Sequence, residues 1–332
     1  MKKKAIALVS GGLDSLLAAR VIQEQGIEVL GITFVMQFAS RNLAGFKGHV
    51  QEAAAESGMP IRFQDISKDF LEMLKKPKHG YGANINPCID CKIMMLRNAK
   101  RVMEEEGAHF VVTGEVLGER PMSQRREALN TIEKHSALKG YLLRPLCAKL
   151  MRETQAEKDG IVEREKLLDI RGRSREPQLA LAKKYGITKF FAPAGGCLLT
   201  DPIFARKLKD LLSHGMGTME EVSLLKYGRH FRLDDITKII VGRDEKENDK
   251  LLELKAKEDV VLRLEDKNGP YALLKGESCP ENLKKAAALV LSHSKHKNED
   301  GTKVEYWANE DQKNILSASS IDRVEIDRGR VA

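Results

Sequence analysis

Ser10-Gly11-Gly12-Leu13-Asp14-Ser15 decides the reading of this chain. It follows the strand-like run Ala5-Ile6-Ala7-Leu8-Val9 and opens the helical pattern of Leu16, Leu17, Ala18, Val21 and Ile22. A strand, a glycine turn and a helix N-terminus make a phosphate cradle. The glycines let backbone N–H groups face a ligand, and the helix dipole adds positive potential. The lysine loop GxxxxGK(S/T) does not occur at this junction, nor does the spaced GxGxxG of dinucleotide folds.

The hexapeptide resembles the PP-loop of ATP pyrophosphatases, which split ATP between its α and β phosphates and adenylate a substrate. Outward from it, strand and helix signals alternate. Glu28 to Phe34 reads as a strand, Val50 to Ser57 as a helix and Ile61 to Phe63 as a third strand ending near Asp65. A helix pattern runs from Lys92 to Glu106 and stops at Gly107, and Phe110-Val111-Val112 forms another buried strand before Thr113-Gly114-Glu115. Short apolar strands alternating with helices predict an α/β fold, a doubly wound parallel sheet. Ligands of such sheets bind beyond the carboxyl ends of the strands, where Ser10–Ser15, Thr33–Phe34 and Thr113–Glu115 all fall.

Near Ser213-His214-Gly215-Met216-Gly217 the pattern changes. Short strands follow at Phe231–Leu233, Ile239–Val241, Val260–Leu262 and Tyr271–Leu274, with a helix from Leu283 to Leu291 and a polar loop over Ser292–Gly301. The expected organisation is an α/β domain over 1–215 and a smaller α+β domain over 222–332.

The chain has 332 residues, 42% apolar, enough for two cores. No apolar run approaches the roughly 18 residues of a membrane span, and Met1-Lys2-Lys3-Lys4 leads into a short strand rather than a signal peptide. Five cysteines favour reduced thiols or metal ligands over a disulfide scaffold. These features predict a cytoplasmic protein with no membrane partner. Residues 222–332 carry equal numbers of basic and acidic side chains, so the whole net charge of +8 lies before them. Arg120, Arg125, Arg126, Lys139, Arg144, Lys149 and Arg152 gather there, followed by Arg171-Gly172-Arg173-Ser174-Arg175. Such an excess points either to a polyanionic second substrate such as RNA or to a salt-bridged surface, since glutamates run through the same stretches.

Pro87-Cys88-Ile89-Asp90-Cys91-Lys92 is a CxxC opening a helix, a setting that favours thiolate. Asp90 between the two cysteines is either an acid/base group or a helix-start residue. Cys197 follows the bend Pro193-Ala194-Gly195-Gly196, whereas Cys147 and Cys279 read as packing residues. Cys88, Cys91 and Cys197 allow three arrangements: a [4Fe–4S] cluster with one open iron, structural zinc with a fourth ligand, or a persulfide relay. Beside an adenylating loop, sulfur chemistry is the better account.

With SGGLDS, the segments TGEVLGERPMSQ (Thr113–Gln124) and LRPL (Leu143–Leu146) resemble the PP-loop domain of the tRNA 4-thiouridine synthetases over about the first 215 residues. The resemblance implies that ATP, with Mg²⁺, activates a uridine carbonyl oxygen of tRNA as its adenylate and that sulfur then displaces AMP. Ser10, Gly11, Gly12, Asp14 and Ser15 would hold the phosphates, Asp14 placing Mg²⁺. Thr33 and Phe34 would border the adenosine, and Gly114 and Glu115 would close the pocket. The CxxC with a distant cysteine is similar to iron–sulfur-dependent tRNA thiolases, implying that Cys88, Cys91 and Cys197 are catalytic and bind the cluster, zinc being the alternative. Sulfide or a cysteine desulfurase would supply the sulfur. Lys226 to Leu233 and Ile240 to Asp249 resemble the NFACT-R domain of ribosome quality-control proteins, implying RNA contact through Arg229, Arg232 and Arg243. Two rival readings are an amide or nitrile ligase with structural zinc and a non-catalytic ATP- and tRNA- or ribosome-binding factor.

Overall fold

A computed structural model describes residues 3–37, 42–192, 197–215 and 217–332. The chain divides into two compact units, the first ending at Cys197 and the second starting at Leu198.

The first unit runs β1 (Lys4–Leu8), α1 (Leu13–Gln23), β2 (Glu28–Val35), α2 (Leu43–Glu56), β3 (Ile61–Asp65), α3 (Ser67–Lys75), α4 (Cys88–Glu105), β4 (Phe110–Val112), α5 (Arg126–His135), β5 (Leu142–Leu143), α6 (Gln155–Lys158) and α7 (Glu176–Tyr185). Its five strands are all parallel in the order β3-β2-β1-β4-β5. This is the doubly wound α/β sheet expected from the sequence. Successive side chains of the central strands go to opposite faces. Ala5 and Ala7 pack with Leu13 and Leu17 of α1, Val50 of α2 and Ala182 of α7. Ile6 and Val111 pack on the other side with Ile93 and Leu96 of α4 and Ile132 of α5. Burial on both faces removes the apolar–polar alternation of a half-exposed strand, which is why these runs read as continuous apolar segments.

The chain leaves β1 for β2 on one side and later returns to β4 on the other. The sheet therefore splits its connections between β1 and β4, and crevices form at such switch points. The loop after β1 carries Ser10–Ser15, and the loop after β4 carries Thr113–Glu115.

Two helices begin earlier than their apolar pattern predicts. Helix α2 starts at Leu43, not near Val50, because Asn42 accepts a hydrogen bond from the Gly45 N–H at 2.9 Å and caps it. Helix α4 starts at Cys88, where the Cys91 N–H donates to the Pro87 carbonyl at 2.8 Å, so the whole CxxC lies in its first turn.

The second unit contains α8 (Pro202–Ser213), α9 (Met219–Leu224), β6 (Arg229–Arg232), β7 (Lys238–Val241), α10 (Glu245–Leu254), β8 (Val260–Leu264), β9 (Ala272–Lys275), α11 (Pro280–Ser292), β10 (Thr302–Trp307), β11 (Asn314–Ala318) and α12 (Arg323–Gly329). Its strands form an antiparallel sheet in the order β11-β10-β8-β9-β7-β6. The α11 residues Ala286, Ala287 and Val290 cover one face with Phe231 and Val304, while Leu224, Leu251 and Trp307 pack on the other. Strands β10 and β11 escape the sequence pattern because Lys303 and Glu305 interrupt the first and the second is largely exposed.

Candidate functional site

The loop between β1 and α1 is braced by its own serines. The Ser10 N–H donates to Ser15 Oγ at 3.2 Å, and the Ser15 hydroxyl donates to the Gly12 carbonyl at 2.8 Å. Gly11 has φ +75° and lies under Phe191, whose ring atoms would stand 2.7 Å from a Cβ at that position. Only glycine fits there, on both conformational and steric grounds. The Phe191 N–H donates to the Gly11 carbonyl at 2.8 Å, and its ring stacks on His49 and Phe46, with centroids 3.9 and 5.6 Å apart.

Gly114 makes the second close approach. A Cβ on it would meet the Asp14 carbonyl carbon at 2.4 Å and the Ser15 nitrogen at 2.5 Å. The loop after β4 is thus seated directly on the first turn of α1. Burial pushes the Asp14 carboxyl up, against the pull of Arg175 and Arg120. Asp14 Oδ1 is buried without a hydrogen-bond partner, as are both polar side-chain atoms of Gln178, a fully buried residue of α7. Glu119 is pushed up as well, first by burial and then by Asp14. Arg171 is bridged to Leu117, with the Gly172 N–H donating to the Leu117 carbonyl at 2.9 Å, so the basic segment lies along the β4 loop.

Thr33 and Phe34 lie at the end of β2. The Thr33 hydroxyl donates to the Val9 carbonyl at 2.7 Å, and the Phe34 ring packs in the core with Ile6 and Ile32. Glu115 is fully occupied. Lys92 pairs with one of its oxygens, while Arg144 Nε pairs with the other at 2.9 Å and the Thr113 hydroxyl donates to it at 3.2 Å. Arg144 also pairs with Glu133 at 3.0 Å. Burial would push the Glu115 carboxyl up, but Lys92 and Arg144 overcome this and hold it down at about 2. Of the basic residues singled out in sequence, Arg144 is therefore an internal ion-pair partner.

Lys92 follows Cys91 directly, so this ion cluster ties the CxxC turn of α4 to the loop after β4. The Cys91 thiol is pushed up to about 12, first by burial and then by Cys197 and Cys88, with Lys92 opposing. Charge on Cys88 or Cys197 is thus felt at Cys91. Among the described residues no three His, Cys, Asp or Glu side chains group closely enough to hold a metal ion. The Cys88 thiol donates to Asn86 Oδ1 at 3.3 Å. Asp90 turns instead to His79, accepting from its backbone N–H at 2.7 Å and lying 2.9 Å from its Nδ1. The Pro193–Gly196 bend expected ahead of Cys197 lies outside the described residues. Cys147 is buried, with its thiol donating to the Glu115 carbonyl at 3.3 Å.

In the second unit Arg229 and Arg243 line one cavity of about 740 Å³. Arg232 is drawn away by Asp210 at 2.6 Å, and Arg243 is held by Glu247. Sequence reasoning missed Gln178 and Phe191, whose surroundings carry no mark of a site, and the role of Lys92 beside the CxxC; only the fold brings Gln178 and Phe191 to the β1–α1 loop and Lys92 to Glu115.

The chain is 32% identical over 143 residues to a probable tRNA sulfurtransferase of Thermococcus kodakarensis, covering 43% of this chain and 36% of that one. It is 34% identical over 122 residues to the tRNA-specific 2-thiouridylase MnmA of Pelobacter propionicus, covering 34% of this chain and 33% of the relative. The matched part thus spans about a third of these curated relatives' length. A solved 4-thiouridine synthetase–RNA complex with bound ATP aligns at TM-score 0.36 and 22% identity, covering 56% of this chain and 52% of that one. The NFACT protein RNA binding domain matches residues 228–328. The model of the thiamine biosynthesis protein (ThiI) family matches residues 1–178, over the phosphate loop, the β4 loop and the CxxC helix, and the chain belongs to that family.

Proposed function

We propose that this chain is an ATP- and Mg²⁺-dependent tRNA uridine sulfurtransferase that forms 4-thiouridine. The observation that carries this reading is the seating of Gly114 on Asp14 and Ser15. It sets the loop whose Glu115 is tied through Lys92 to the CxxC turn against the phosphate-binding loop. Family membership and the sulfurtransferase and 2-thiouridylase relatives support the same chemistry.

In this reading Ser10, Gly11, Gly12 and Ser15 hold the phosphates at the N-terminus of α1, where amides and the helix dipole offset charge developing on departing pyrophosphate. Asp14 Oδ1, a buried oxygen without a hydrogen-bond partner, suits a hard cation such as Mg²⁺. Thr33, Phe34 and Gly114 shape the nucleotide crevice, and Glu115 anchors its wall. The uridine oxygen attacks the α-phosphate, pyrophosphate leaves, and sulfur replaces the activated oxygen as AMP departs. Positioning supplies most of the rate in the first step.

The donor set suits a [4Fe–4S] cluster. Cys88, Cys91 and Cys197 are soft sulfur donors of the type such a cluster takes, although among the described residues they are not grouped closely enough for a metal as they stand. The cost of a thiolate at Cys91, set by burial and negative neighbours, would be offset by a cationic centre. Cys88, Cys91 and Cys197 would hold it, and such a cluster supplies an open iron for sulfide. Sulfide or a cysteine desulfurase is the donor, and the second unit, with its NFACT RNA binding match, is a tRNA handle.

The test is thiolation of tRNA transcripts by anaerobically purified protein with ATP and sulfide, followed by nucleoside analysis and assay of iron, zinc and labile sulfide. The wild type should form 4-thiouridine and contain iron and sulfide. Asp14→Ala should abolish thiolation while retaining tRNA binding, and Cys197→Ala should lose both colour and transfer. Formation of 2-thiouridine would move the modified atom. Stoichiometric zinc without sulfide and without thiolation would favour a ligase. A fully active Asp14→Ala would refute the PP-loop assignment.

A further inference from the structure

The open edge of the parallel sheet borders a cavity of about 930 Å³ whose charges are unevenly committed. Its acidic members are already engaged. Glu133 pairs with Arg144 at 3.0 Å and accepts from the Gly140 N–H at 3.1 Å. Glu157 pairs with Arg164 and caps α6 by accepting from the Thr154 N–H at 2.7 Å, and Glu153 lies 3.9 Å from the same Arg164. The cations are not so engaged. Lys134, Lys139, Arg152 and Lys158 are exposed, and none makes an ion pair among the described residues. Arg126 donates to the Leu150 carbonyl at 3.1 Å, a contact that leaves its charge uncompensated.

These five cations come from separate segments: α5, the turn before β5, the loop before α6, and α6 itself. A single small anion could not use so dispersed a set, whereas a polymer with a charge at every unit can. Asn130, exposed on α5, lines the same cavity and adds a neutral hydrogen-bonding group suited to sugar hydroxyls or base edges. Arg144 also lines it while holding Glu115, so this surface adjoins the crevice after β4.

We propose that this basic cavity at the β5 edge binds the phosphodiester backbone of the RNA substrate. The inference rests on the reading of the chain as a tRNA-modifying enzyme and assigns the grip on tRNA to the first unit as well as to the second. Counterion release makes such binding salt-dependent, each lost phosphate contact lowering the log–log salt slope by about 0.7 to 0.9.

The experiment is a salt titration of tRNA binding by the full chain, with Lys139→Gln, Arg152→Gln and their double variant, and with Lys183→Gln on α7 as the control. All three positions are solvent-accessible, and MgATP binding and melting temperature are measured in parallel to show that the fold is intact. The double variant should weaken tRNA binding several-fold and lower the slope by about one to two, while Lys183→Gln and MgATP binding stay unchanged. Wild-type affinity and slope in the double variant would overturn the inference while leaving the proposed function standing. An equal loss in Lys183→Gln would also overturn it, because the effect would then be one of net charge. A wild-type chain that binds no tRNA would overturn both.

Discussion

Replacing Glu115 by glutamine removes one proton-sensitive charge from the centre of the first unit. Its carboxylate lies between Lys92 and Arg144 and is held down at about 2, against an ordinary value of 4.5. At about 1.4 kcal/mol per tenfold change in proton affinity, this corresponds to about 3 kcal/mol of stability. The folded value lies below the unfolded one. The contribution is therefore complete above about pH 4.5 and is lost as the pH falls towards 2. Glu115→Gln cannot gain it at any pH and leaves buried Arg144 with Glu133 alone, a loss of about 3–5 kcal/mol at neutral pH. The single tryptophan, Trp307, lies in the second unit and does not report on this change. Hydrogen exchange of the β4 amides, Phe110 to Val112, does. The variant should exchange faster than wild type at pH 7, and the gap should close as both approach pH 2.5. Equal protection at pH 7, or a gap that does not vary with pH, would refute the ion-cluster argument.

Gly114→Ala forces a methyl group against the backbone of Asp14 and Ser15, which has no side-chain freedom to yield. It should cost at least about 1–3 kcal/mol and weaken MgATP binding, measured by calorimetry; a variant that melts and binds like wild type would contradict the close packing. In the second unit, burial and then Arg243 and Lys238 press the Lys207 ammonium down to about 8, while its Nζ donates to the Leu225 and Gly228 carbonyls at 3.3 and 2.9 Å. The unfolded chain then binds the extra proton, so stability read through Trp307 should rise between about pH 8 and 10. Lys207→Met should flatten part of that rise, and stability that is flat or falling across this window in the wild type would oppose the assignment.

Much of the first unit was legible because its signals are local. The apolar runs at Ala5–Val9 and Phe110–Val112, the glycine turn and the helix periodicity after Leu13 each need only a few neighbouring residues to declare themselves. Helix starts were less legible: Asn42 caps α2 through one hydrogen bond that no apolar period records. The charged residues were least legible. Arg144 and Arg152 look alike in sequence, yet one is buried between two carboxylates and the other is exposed beside an open cavity.

The sequence by itself determined the phosphate loop, the parallel α/β architecture, the CxxC at a helix start and the family resemblance, since backbone conformation and periodicity are written in contiguous residues. Tertiary structure alone decided that Gly114 rests on Asp14, that Lys92 and Arg144 converge on Glu115, that Phe191 covers Gly11, and that Gln178 is buried beside Asp14. Those contacts join segments distant in the chain. They depend on strand order and on which helix face turns inward, and both are set by the collective burial of the two cores.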